Sequence, residues 1–155
     1  MIKKKWKITQ KLLWILINPL KDSFLSEDEK LTKEEILQFK LPIKKDDKLI
    51  IIKTIDEDRE LIPLIEVNIK GEPTFENLCK ILEKELNKYI KVDNNMVEYF
   101  YKKIANFRFS KDRLELVKKY ESGKLKPIDL LGDHKFFEGF ERLGKSNYII
   151  YNVGS

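Results

Sequence analysis

Leu49-Ile50-Ile51-Ile52-Lys53-Thr54-Ile55 is the stretch that decides the fold. It is too short for an independent helix, and its apolar run is long enough for a strand buried on both faces, so it predicts a central strand. Asp56 to Glu60 follows as a charged turn. Beyond it, Ile65, Val67 and Ile69 alternate with Glu66, Asn68 and Lys70, the period-two pattern of a half-buried strand. Pro63 cannot donate to a ladder and marks that strand as an edge or a bulge.

Downstream the period changes to that of helices. Gly71 and Pro73 punctuate the chain, and Thr74 caps a helix whose apolar positions are Phe75, Leu78, Cys79, Leu82, Leu86 and Tyr89. Asp93 or Asn94 is expected to cap a second helix with Val97, Phe100, Tyr101 and Ile104 inward. Ser110 is expected to cap a third with Leu114, Val117 and Tyr120 inward and Gly123 past its end. Lys135–Arg142 and Tyr148–Val153 then read as aromatic and β-branched strands joined at Gly144-Lys145-Ser146-Asn147.

Upstream, Thr32 and Glu35 have capping-box spacing, with Leu31 and Ile36 at the staple positions, so a helix begins at Lys33 and ends before Pro42. Residues 6–17 suggest a further helix, but Leu12 to Ile17 spread around its whole circumference. That distribution argues against an interfacial membrane helix and suggests a segment packed on the core or on a partner. The expected architecture is an α+β domain over residues 31–155, preceded by a basic, then apolar segment and connector over residues 1–30. Its small antiparallel or mixed sheet has four to five strands, with about three helices on one face.

Charge location limits the functional classes. The formal net charge is +5, yet Lys3, Lys4, Lys5, Lys7, Lys11 and Lys21 all precede the first acidic residue, so residues 22–155 sum to −1. A near-neutral body lacks the broad positive face of most phosphate binders. One cysteine, Cys79, permits no intramolecular disulfide, and the six-residue run Leu12 to Ile17 is too short for a spanning helix or a signal peptide. The expected location is therefore intracellular, cytoplasmic or nuclear. Lysine far outweighs arginine, with only four arginines among 31 basic residues, which resembles the product of an A/T-rich coding genome.

No assembled chemistry is legible. Cys79 lies in an apolar helix stripe, where a thiol is buried and protonated. His134 is the sole histidine, so a triad or dyad must use it, with Asp133 or Asp129 as partner, and the bland reading is a turn histidine. Asp56-Glu57-Asp58 lacks the glycine and terminal glutamate of a calcium loop, and no Gly-rich phosphate loop occurs. The expectation is a protein with no catalytic, cofactor or metal residues. Tyr99-Phe100-Tyr101 and Phe136-Phe137 are candidates to stack nucleobases, but Lys135 to Phe140 does not fit the RNA-recognition consensus, and core and surface aromatics are the expected reading. Adjacent strand residues point to opposite faces, so Phe136 or Phe137 faces away from the core and needs a cover.

Gly71-Glu72-Pro73-Thr74-Phe75-Glu76-Asn77-Leu78 opening a helix, followed by Ile128-Asp129-Leu130-Leu131-Gly132-Asp133-His134-Lys135-Phe136-Phe137-Glu138-Gly139-Phe140 and a last strand, resembles an uncharacterised domain family of basidiomycete fungi and giant DNA viruses. The resemblance spans roughly residues 40–153 and supplies no activity or site residue. Together with the composition it implies a viral or viral-like source, hence host cytoplasm. The function expected is a non-enzymatic protein-interaction module, able to associate with itself, that binds through Trp6, Trp14, Phe136, Phe137 and Phe140. The alternative is a nucleic-acid-associated protein using Lys3, Lys4, Lys5, Lys7 and Lys11 as a phosphate-binding arm.

Overall fold

The computed structural model describes residues 12–27, 30–91, 93–94 and 96–154. In chain order these form β1 (Leu12–Leu13), β2 (Phe24–Leu25), α1 (Lys33–Leu37), β3 (Lys48–Ile55), β4 (Leu61–Asn68), α2 (Phe75–Leu86), α3 (Val97–Ala105), α4 (Ser110–Glu121), β5 (Phe136–Arg142) and β6 (Tyr148–Gly154). A 3-10 turn at Leu20–Asp22 precedes β2 and another at Pro127–Leu130 precedes β5. The fold is mixed α+β, with four α-helices, a two-stranded ribbon of β1 and β2, and a four-stranded sheet in the order β4-β3-β6-β5.

The sheet is built around the isoleucine run. Leu49, Ile50, Ile51 and Ile52 are all buried, as a strand without polar alternation requires. β3 pairs antiparallel with β4 and parallel with β6, and β5 pairs antiparallel with β6. β4 is an edge, and the β3–β4 register shifts on either side of Ile52, next to the Lys53–Pro63 pair. The missing proline N–H is tolerated there because that strand needs only one partner.

Phe75, Leu78, Cys79, Leu82 and Leu86 of α2 are fully buried, and the helix lies against β3. Its start is closed twice: Thr74 Oγ1 accepts the Asn77 N–H at 3.2 Å, and Asn77 Nδ2 donates to the Lys70 and Glu72 carbonyls. α1 carries the full Thr32–Glu35 capping box. α4 ends in a Schellman motif, with Gly123 at φ +70° and the Lys124 N–H donating to the Lys119 carbonyl.

Several expectations require correction, among them Tyr89, which lies beyond the end of α2 and is 61% exposed. Residues 12–17 are not helical; they form a short strand, an isolated bridge at Ile15 and a turn. α3 starts at Val97 with Met96, not Asp93 or Asn94, in the cap position, and Tyr101 is 52% exposed. Ser110 is the first helical residue of α4 and Phe109 holds the cap position, because extended dihedrals rather than residue type define that place. The fully buried residue of α4 is Leu116, with Val117 and Tyr120 partly buried against the core as expected, whereas Leu114 is 63% exposed.

One buried ion pair fixes the entry to β3. Arg142 Nη1 and Nη2 donate to the two carboxylate oxygens of Asp47 at 2.7 and 2.6 Å. The same guanidinium donates to the Pro42 and Ser146 carbonyls, and the Lys44 N–H donates to Asp47 Oδ2. Burial alone would raise the Asp47 carboxyl, but the Arg142 and Lys44 hydrogen bonds and the nearby cations outweigh it and hold it below its usual value.

Candidate functional site

Extended backbone sends alternate side chains to opposite sides, and the N-terminal apolar run uses both. Leu12, Trp14 and Leu16 are buried in the common core, whereas Leu13 is 41% exposed and Ile15 half-buried. The segment lies along the outer edge of β5: the Leu16 N–H donates to the Lys135 carbonyl at 2.7 Å, and the Phe137 N–H donates to the Trp14 carbonyl at 2.9 Å. Direct cross-strand partners share a face. Leu13 opposes Phe24, which is 58% exposed, and Ile15 opposes Phe136, which is 46% exposed. The outcome is an outward apolar strip of Leu13, Ile15, Phe24 and Phe136.

The expected binding aromatics divide accordingly. Trp14, Phe137 and Phe140 are buried, with the Trp14 and Phe137 rings 5.4 Å apart and Phe137 and Phe140 5.0 Å apart, so these three are core side chains. Phe136 is the outward ring. Trp6 and the lysines Lys3, Lys4, Lys5, Lys7 and Lys11 lie outside the described residues.

His134 borders a cavity of about 540 Å³ between α4, the α3–α4 connection and the approach to β5, and Asp129 and Asp133 line it too. Acidic and basic side chains surround it in equal number, so it carries no bias of sign. Both Asp129 oxygens are engaged: Oδ1 accepts from Lys119 Nζ at 3.0 Å, and Oδ2 accepts the Lys126 N–H at 2.9 Å. Cys79 is fully buried, and burial, with the charges of Glu76 and Glu83, pushes its thiol well above the ordinary value. Among the described residues no cluster of three or more His, Cys, Asp or Glu side chains is placed to hold a metal, and no helix is long and apolar enough to cross a membrane.

A second cavity lies where β3 and β6 stop pairing, between those strands, α3 and the Pro127–Leu130 turn. β3 and β6 are in parallel register only from Lys48–Tyr148 to Ile50–Ile150 and then part. The Tyr151 hydroxyl spans the opening and donates to the Ile51 carbonyl at 2.9 Å; burial, together with Tyr99 nearby, pushes that phenol far up. Past this bond lies a space of about 160 Å³ walled by Ile52, Val153, Pro127 and Leu130, with Tyr99 and Lys103 of α3 at its side. It shares Lys103, Leu130 and Leu131 with the larger cavity. No motif marked it in the sequence, since it depends on strand order and on where a parallel pair separates.

No family model, curated protein or solved structure matches the chain. The geometry alone therefore carries the functional reading.

Proposed function

We propose that this protein is a non-enzymatic interaction module that pairs with a second copy of itself through the strip of Leu13, Ile15, Phe24 and Phe136. The observation that carries this reading is two apolar cross-strand pairs, Leu13 with Phe24 and Ile15 with Phe136, in which Leu13, Phe24 and Phe136 are exposed and Ile15 is half-buried. Isolated exposed apolar residues are ordinary, but an aligned group implies a cover. A strip of this kind is self-complementary under a two-fold axis, because apolar groups meet apolar groups and no charge is stranded. The commitment of both Asp129 oxygens and the burial of Cys79 favour binding over catalysis. A cytoplasmic or nuclear location accords with a single buried thiol.

Sedimentation velocity across a concentration series tests the proposal. The wild type is expected to shift from monomer to dimer with rising concentration, and Phe24→Asp to weaken the association at least about tenfold, as loss of an aromatic anchor does. A wild type that remains monomeric up to about 1 mM, where only about −4 kcal/mol is needed for half-association, refutes self-pairing.

A further inference from the structure

We propose that the fork between β3 and β6 binds a small amphipathic carboxylate, with a ring or short branched chain between the strands and its carboxylate against Lys103 and Tyr99. Three observations converge on that chemistry. The inner walls, Ile52, Val153, Pro127 and Leu130, are apolar, and the 160 Å³ volume matches the scale of about 150 Å³ at which a dry apolar cavity accepts a benzene-sized group. Of the charged residues lining the space, Lys103 has no side-chain hydrogen bond or ion pair among the described residues, so an anion is the ion it accepts.

Tyr99 and Lys103 stand four residues apart on α3 and so share one helix face, which places hydroxyl and ammonium on the same wall. Among the described residues neither the Tyr99 hydroxyl nor the Lys103 ammonium has a hydrogen bond or an ion pair, in contrast to Tyr151 and Lys119 nearby. Two half-buried donors without acceptors beside an apolar recess are the few placed polar groups that orient a ligand in a mostly apolar site. The recess also lies past the point where parallel strands separate, on the side of their carboxyl ends, where open sheets receive ligands. Lys103 stands at the rim shared with the 540 Å³ cavity, which gives the carboxylate end access to water and leaves room for substituents.

Phenylacetate is the probe, with phenethylamine as the same ring carrying the opposite charge, and backbone amide NMR as the readout. Phenylacetate is expected to shift the Ile52, Lys103 and Val153 amides saturably, with a dissociation constant of about 1 mM or tighter. Lys103→Met is expected to weaken binding at least about tenfold and Tyr99→Phe about threefold, while Lys103→Arg retains most of it. Lys103 is on the helix surface, so the variant's own amide spectrum verifies that the fold persists. Absence of saturable shifts at about 10 mM phenylacetate, equal binding of phenethylamine, or an unchanged affinity in Lys103→Met would each overturn the proposal.

Discussion

The two halves of β3 are built on opposite terms. From Leu49 to Ile52 every side chain is buried, β4 pairs along one side while β6 pairs along the other as far as Ile50, and the strand's entry is clamped by Asp47 and Arg142. From Lys53 to Ile55 only β4 remains alongside, and Ile55 is 65% exposed. One strand therefore supplies the anchor of the sheet at one end and the wall of an open recess at the other. The difference shows how a ligand-sized space can arise without disturbing the core: the strand keeps its rigid half and gives up a neighbour in the other.

That contrast can be broken most sharply at its clamp. Asp47→Ala leaves the Arg142 guanidinium without its carboxylate and is expected to cost roughly 3–5 kcal/mol in urea denaturation. The Asp47 carboxyl is depressed in the fold, so its contribution is complete above the unfolded value of about 3.9 and disappears as pH falls through the lower folded value. Wild type should accordingly lose stability across that acid range, and Asp47→Ala should show a shallower acid slope. Leu49→Ala, in the fully buried half, is expected to cost about 2–5 kcal/mol. Tyr151→Phe removes the bond that spans the fork and is expected to cost about 1 kcal/mol. Ile55→Ala should change stability by no more than about 0.5 kcal/mol; a loss comparable to that of Leu49→Ala would abolish the distinction between the halves.

Much of this contrast was legible from residue pattern, and some was not, for physical reasons. The isoleucine run, the Thr32–Glu35 box and the Thr74-capped stripe of α2 are local signals that the packing agrees with. The segment Leu12 to Ile17 misled because all its residues are apolar: alternation between a core side and an outward side leaves no trace when both sides have the same character. α4 misled for the reverse reason, since it packs at the periphery and buries fully only Leu116, too little to set a stripe. Of the expected binding aromatics, the pleat argument required one ring of Phe136 and Phe137 to face outward, but only the bulge-bearing register of β5 against β6 and the docked N-terminal strand show that it is Phe136. The fork cavity had no local signal at all, because Tyr99, Lys103, Ile52 and Val153 meet only through long-range pairing.

The parallel pairing of β3 with β6 also bears on synthesis. Tyr151 and Ile51 are separated by 100 positions, so β3 leaves the ribosome well before the strand that completes its hydrogen bonding. In that interval β4 protects one side of β3, while the isoleucine-rich other side is open as a template for foreign strands. Nascent chains halted before Tyr148 are thus the species of this protein most dependent on chaperones.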